Sequence, residues 1–362
     1  MPTAPDLRPT PRQAVLDLPG YVAGRRSASP TTAALASNES HEPPLPGVLE
    51  AITAAGQRAN RYPDMGCIAL REVIAEALGR PVAEVAVGPG SVAVLQQVIT
   101  AFCDAGDEVV FAWRSFEAYP ILAAIAGATA VRVPLRADEG HDLIAMAAAI
   151  TDRTRVVLVC SPNNPTGVAI PAPEFEAFLH AVPRHVLVVL DEAYLEFCGF
   201  GSSRSLDLLE SHPNLCLLRT LSKAYGLAGL RVGYAVAAAP VAEALRRTAI
   251  PFGVSAVAQA AGIAALAARD EVARRADAVV GERERMLTAL RALGWRTPDS
   301  SANFVWLRAS EPLFSELMDA FDAADILVRG YPGDGVRISL ADPATNDRVV
   351  AVLAQRARFA AQ

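Results

Sequence analysis

Between Ala83 and Ala238 the chain switches repeatedly between short apolar runs rich in β-branched residues and longer amphipathic segments. Seven of the short runs read as strands: Val85–Val87, Glu108–Ala112, Ala130–Val133, Arg155–Cys160, Val186–Leu190, Asn214–Arg219 and Gly233–Val236. Strands spaced by helical segments predict an α/β architecture, a mostly parallel mixed sheet flanked by crossover helices. After Pro251 the texture changes. Ala256–Ala268 and Glu271–Leu293 read as long Ala- and Arg-rich helices, and an antiparallel-looking β/α tail follows from Asn303. The pattern predicts a large domain over 31–249 and a smaller α+β domain over 250–362, with the Pro-rich opening, 1–30, as an arm joining the small domain.

Composition narrows the function. With 362 residues, 52% of them hydrophobic, the chain can bury a large core. A formal net charge of -6 speaks against a nucleic-acid surface, which needs a basic patch, and favours small metabolites as partners. The opening residues lack an apolar segment behind their charges, and the strongly apolar uncharged stretch Ala118 to Val131 is too short to span a bilayer. A cytoplasmic protein with no membrane partner is expected. The five cysteines contain no C-x-x-C pair and read as buried thiols. The five histidines never fall at i, i+4 or near cysteine at ligand spacing, so no metal is expected. Glu282-Arg283-Glu284-Arg285 reads as a solvated helix face.

One asymmetry stands out. Of the 33 basic residues, 32 are arginine, and Lys223 is the sole lysine. A bias towards arginine wherever charge alone matters explains the missing lysines. It does not explain the surviving one, which should sit where a guanidinium cannot substitute. Schiff-base chemistry is such a place, because it needs a primary amine able to lose its proton.

Ligands of open α/β sheets sit beyond the carboxyl ends of strands, so the residues just after each strand carry the chemistry. After Val85–Val87, Gly88-Pro89-Gly90-Ser91-Val92-Ala93 opens an apolar-periodic segment and suits a phosphate at a helix N-terminus. The same letters fit a dinucleotide fingerprint, but the next strand ends in Trp113-Arg114-Ser115 instead of the acid that holds a ribose. Ser161-Pro162-Asn163-Asn164-Pro165-Thr166-Gly167 follows the fourth strand, and Asp191-Glu192-Ala193-Tyr194 the fifth. Taken singly, an Asp there is often a helix cap and Asn-Pro a turn. After the sixth comes Thr220-Leu221-Ser222-Lys223-Ala224-Tyr225-Gly226-Leu227-Ala228-Gly229-Leu230-Arg231, with the lysine among hydroxyls.

These strings, in this order, resemble fold-type I transferases dependent on pyridoxal 5'-phosphate (PLP), in the histidinol-phosphate aminotransferase branch. The likeness runs from Ser37-Asn38-Glu39 to Gly335-Val336-Arg337-Ile338-Ser339. Arg61-Tyr62-Pro63-Asp64, Gly90-Ser91-Val92, Trp113-Arg114-Ser115-Phe116-Glu117 and Ser301 to Leu307 bring it nearest to the actinobacterial aromatic-amino-acid (phenylalanine) aminotransferases. Histidinol-phosphate enzymes commonly carry an acid in the turn after the glycine and Tyr at the position of Phe116. Those departures point away from histidinol phosphate.

The resemblance implies that Lys223 holds the cofactor and later moves the substrate's proton, and that Asp191 faces the pyridine nitrogen. It places Asn164 and Tyr194 on the ring's phenolic oxygen, Phe116 against the ring, and Gly90, Ser91, Thr220, Ser222 and Arg231 around the phosphate. Tyr62 would reach the cofactor of a neighbouring subunit, which implies a homodimer. Arg337 would grip the α-carboxylate, with Arg329, Tyr21 and Asn164 also lining the substrate pocket. The expected reaction is transamination of an aromatic L-amino acid with 2-oxoglutarate, giving the aryl 2-oxo acid and glutamate. Histidinol-phosphate transamination, alone or as a dual activity, is the alternative, and a PLP-dependent decarboxylase a further rival. A regulator's effector domain would need a winged helix before residue 30, for which no room is expected.

Overall fold

The computed structural model describes residues 9–18, 20, 29, 31–198 and 205–356. Its strands are β1 (Ala33–Leu35), β2 (Val85–Gly88), β3 (Glu108–Trp113), β4 (Thr129–Pro134), β5 (Thr154–Cys160), β6 (Leu187–Asp191), β7 (Leu215–Thr220), β8 (Gly233–Ala237), β9 (Phe304–Arg308), β10 (Ile326–Tyr331) and β11 (Gly335–Ser339). Strands β2 to β8 form one sheet in the order β2-β8-β7-β6-β5-β3-β4. Neighbours from β7 to β4 run parallel, whereas β8 is antiparallel to both β7 and β2. All seven strands read from the sequence lie in this sheet, each within a residue of its expected ends.

Burial explains their texture. Val110 and Ala112 of β3, Val157 and Val159 of β5 and Val188 and Leu190 of β6 enter one apolar core. Their neighbours Val109, Phe111, Val156, Leu158, Leu187 and Val189 enter a second. Helices cover both faces, so both parities of each strand are apolar and the alternation of a half-exposed strand is missing. Truncating a side chain such as the fully buried Leu158 to Ala therefore costs about 2–5 kcal/mol.

The smaller sheet has the order β1-β10-β11-β9. Strands β9 to β11 pair antiparallel, as the tail suggested. A third apolar core, including Trp295, Val305, Phe321 and Ile338, lies against this sheet.

Two expectations about organisation need correction. Packing does not change near residue 250, because the helix Ala256–Ala267 lies against the helices Val48–Gly56 and Ile68–Leu78 of the large body. The change falls inside the helix Arg269–Ala292: Val272 and Ala276 join the core of the large sheet, and Met286, Leu287 and Leu290 join that of the small one. An uninterrupted helix passes between bodies without the loop signal that marks a linker. Likewise, β1 was expected in the large domain but pairs parallel with β10 in the small sheet. Three residues are too few to show a period. Arg283, read as part of a solvated face, is only 8% exposed and donates to the carbonyls of Phe197 and Ala302 at 3.0 and 3.1 Å. No helix among the described residues is long and apolar enough to cross a membrane.

Candidate active site

The carboxyl ends of β5, β6 and β7, the segment after β1 and the inner face of the small sheet enclose a cavity of about 350 Å³. Eleven of the expected residues line it: Ser91, Phe116, Asn164, Asp191, Tyr194, Thr220, Ser222, Lys223, Arg231, Arg329 and Arg337. Consecutive strand residues point to opposite faces of the sheet. Asp191 and Thr220 therefore face the cavity while Glu192 and Arg219, one step away, form a buried ion pair of 2.8 Å behind it.

One end of the cavity is built for an anion. The helix Ser91–Phe102 begins there with no side-chain cap, so its first N–H groups remain available. Its N-cap, Gly90, has φ of +88°, and a Cβ at this position would collide with the Arg231 guanidinium. Gly233 of β8 leaves similar room for the backbone of Ser91. Arg231 Nη1 donates to Ser222 Oγ at 3.2 Å and to the Ala228 carbonyl at 3.1 Å. The Ser222 N–H donates to Thr220 Oγ1 at 3.1 Å. A guanidinium, hydroxyls and a helix N-terminus thus converge.

At the centre, Lys223 Nζ donates to the Ser37 carbonyl at 3.0 Å and lies 5.9 Å from the centroid of the Tyr194 ring. Lys223 keeps some surface towards the cavity, but protein encloses the rest. Burial first, and the neighbouring Arg337 second, push its amine down to about 7. Asp191 is 5% exposed, and burial pushes its carboxyl up to about 6. Its Oδ2 accepts from the Tyr119 hydroxyl at 2.8 Å and its Oδ1 from the Ala193 N–H at 3.2 Å. Tyr194 accepts at its hydroxyl from Asn38 Nδ2 at 2.9 Å, and burial raises its phenol well above the ordinary value. Phe116 meets Tyr119 edge to face, ring centroids 5.7 Å apart.

The opposite end carries arginines. Arg337 Nη1 donates to Asn164 Oδ1, and Nη2 donates to the Ala36 carbonyl at 2.7 Å. Its Nε is buried without a partner, an unpaired donor beside the cavity. Arg329 donates from Nη2 to Glu117 Oε2 at 2.6 Å.

Tyr62 does not reach this cavity: it is 84% exposed, and its ring lies 4.7 Å from that of Phe252. Tyr21 falls outside the described residues. Three residues at the site were not singled out from the sequence. Asn38 and Glu117 stood only inside matching strings with no role attached, and Tyr119 reads as one more apolar residue of a core helix. Their partners lie 156, 212 and 72 positions away, beyond any local signal.

The arrangement suits a flat phosphorylated molecule, with a titratable amine and a buried acid at its centre and a guanidinium at the far end for a carboxylate. The chain is 52% identical over 333 residues to the aromatic amino acid aminotransferase of Streptomyces coelicolor, covering 91% of this chain and 92% of that protein. It is 51% identical over 349 residues to the enzyme of that name from Rhodococcus jostii, covering 95% of each. The histidinol-phosphate aminotransferase of Sinorhizobium meliloti, solved in complex with pyridoxal-5'-phosphate, superposes with a TM-score of 0.86 at 30% identity, covering 96% and 97% of the two chains. Residues 31–353 match the family described as aminotransferase class I and II, and with this fold and these relatives the chain belongs to that family, as a fold-type I enzyme.

Proposed function

We propose that this enzyme uses PLP to transfer the amino group of an aromatic L-amino acid to 2-oxoglutarate, and that it works as a homodimer. The observation that carries the reading is the placement of the sole lysine. Lys223 sits in the cavity between an anion cradle and an uncompensated arginine, with its amine able to be neutral near pH 7.

The residues present fit the cofactor. The space at Gly90 that a Cβ would fill, Arg231, Ser222, Thr220, Ser91 and the helix N-terminus would hold its phosphate. Asp191 would hold a proton at the pyridine nitrogen; a cation there lowers the carboxyl again and favours its charged form. Asn164 and Tyr194 would bond the phenolic oxygen, and Phe116 would lie against the ring. Bound there, PLP supplies an electron-withdrawing ring that stabilises negative charge at the substrate's Cα.

The protein does the rest. Arg337 receives the α-carboxylate, using its unpaired Nε to complete a two-pronged contact. Neutral Lys223 takes the proton from Cα and returns one on the far side of the reaction. Phe116, Tyr194 and Tyr331 give the pocket aromatic walls suited to a ring. Relatives named for aromatic amino acids, at about half identity over nearly the whole chain, support the same donor class. For the dimer, the support is a surface: Tyr62, Met65, Ile68, Ile250 and Phe252 are large, apolar and 42–84% exposed.

The test is a donor panel at saturating 2-oxoglutarate, read as kcat/KM for phenylalanine, tyrosine, tryptophan and histidinol phosphate. Aromatic donors should lead. A clear preference for histidinol phosphate overturns the donor assignment. Arg337→Ala should lower kcat/KM for phenylalanine and for 2-oxoglutarate together, by about a hundredfold or more, because both present a carboxylate.

A further inference from the structure

Among the described residues two guanidiniums share the substrate end of the cavity, and they differ in what compensates them. Arg329 and Arg337 are directly paired across β10 and β11. Directly opposite residues project from one face with Cβ atoms about 5 Å apart, so their charges repel unless an anion intervenes. Arg337 has neutral partners, the Asn164 amide oxygen and the Ala36 carbonyl. Arg329 has a carboxylate: Glu117, at 2.6 Å, with side-chain exposures of 10% for the arginine and 28% for the acid. Glu117 stands at the N-cap of the helix Ala118–Ala126 yet makes no side-chain capping bond. Its carboxylate turns instead to an arginine of the small sheet.

We propose that Glu117 is a specificity-determining residue: by neutralising Arg329 it leaves Arg337, among the described residues, as the one uncompensated guanidinium at the substrate end, which selects amino donors with a single anionic group over donors carrying a second carboxylate or a phosphate. The proposal rests on the functional reading above and adds the residue that enforces it. A second anion must break a partly buried charge-assisted hydrogen bond and approach the Glu117 carboxylate, and both effects oppose its binding. A single-carboxylate substrate with an uncharged ring leaves the pair intact. A dicarboxylate acceptor meets the same barrier and binds by drawing Arg329 away from Glu117.

The experiment compares wild-type holoenzyme with Glu117→Gln, using two unreactive acids in calorimetry: glutarate, with two carboxylates, and 3-phenylpropionate, with one carboxylate and a ring. Glu117→Gln should tighten glutarate about tenfold and leave 3-phenylpropionate within about twofold. The kcat/KM ratio of glutamate to phenylalanine as donors should rise in the same sense. A ratio of the two dissociation constants that stays within about twofold of wild type, or moves the other way, overturns the proposal. Asp334→Asn is the control, since it breaks the ion pair with Arg114, which joins the same two bodies without Asp334 lining the cavity. It should leave the ratio unchanged; an equal shift there means looser packing, not unmasked charge, and also overturns the proposal. If Glu117→Gln does not fold, Arg329→Gln decides: with the acid left bare, glutarate should weaken about tenfold and 3-phenylpropionate stay within about threefold, and unchanged glutarate binding overturns the idea. Failure of wild type to convert any aromatic donor would sink the functional reading alone, because the ratio of the two acids still tests Glu117.

Discussion

The Tyr119 hydroxyl donates a 2.8 Å hydrogen bond to Oδ2 of Asp191, and neither side chain is more than 5% exposed. This bond, with the one from the Ala193 N–H, favours the charged carboxylate against the burial that opposes it. Tyr119→Phe keeps the ring contacts with Phe111 and Phe116 and removes only the donor. Without it the affinity of Asp191 for a proton rises. The acid limb of the kcat–pH profile should move to higher pH, and kcat should fall about tenfold or more with KM nearly constant, as expected for a hydrogen bond to a charged group. An unmoved acid limb would show that Tyr119 only packs.

Lys223 offers a test that needs no turnover. Because it is the sole lysine, reduction of the loaded enzyme with borohydride should tie the cofactor to one peptide, the one carrying Lys223. In the cofactor-free protein, acylation of that peptide should rise with a midpoint near pH 7, against 10.5 for an ordinary lysine, since only the neutral amine reacts. The linked sign follows: folding forces the proton off between about pH 7 and 10.5, so this group's contribution to stability increases with pH across that window. Lys223→Arg should abolish both labels and transamination.

Tyr62 tests the dimer. If it serves the partner's site, mixing inactive Lys223→Ala subunits with impaired Tyr62→Phe subunits creates heterodimers with one doubly damaged and one intact site. Activity should rise above that of either parent once subunits exchange. No recovery despite demonstrated exchange would mean that Tyr62 acts within its own subunit or not at all.

His141 should set part of the acid stability. It is 2% exposed, both ring nitrogens lack a hydrogen-bond partner, and burial pushes it down to about 4 from 6.5. A base whose folded value is depressed stays neutral in the folded state while the unfolded chain takes up the proton. Its contribution is therefore complete above about pH 6.5 and is lost as pH falls towards 4, by up to about 3 kcal/mol. His141→Leu should flatten the decline of Tm across that window. A wild-type slope in the variant would assign the loss to other groups.

How much was legible in advance depends on how local each signal is. The seven strands of the large sheet were readable because a strand buried on both faces leaves a short uninterrupted apolar run. Residues at the carboxyl ends of β5, β6 and β7 were readable for a related reason: once the strands are known, the positions that meet a ligand follow from the topology. Asn164, Asp191 and Lys223 all line the cavity from such positions. The lysine that lines the cavity stood out in composition alone, as one lysine beside 32 arginines.

Tertiary structure decided everything that joins distant segments. The placement of β1 in the small sheet, the bond from Asn38 to Tyr194, the support of Asp191 by Tyr119 and the masking of Arg329 by Glu117 each pair residues between 72 and 293 positions apart. No period or motif encodes such contacts, because they arise when separate elements pack and their side chains are left facing one another. Charge shows the difference most clearly: Arg329 and Arg337 are identical letters in sequence, and folding brings a carboxylate to the first while leaving the second with neutral partners and an unpaired Nε.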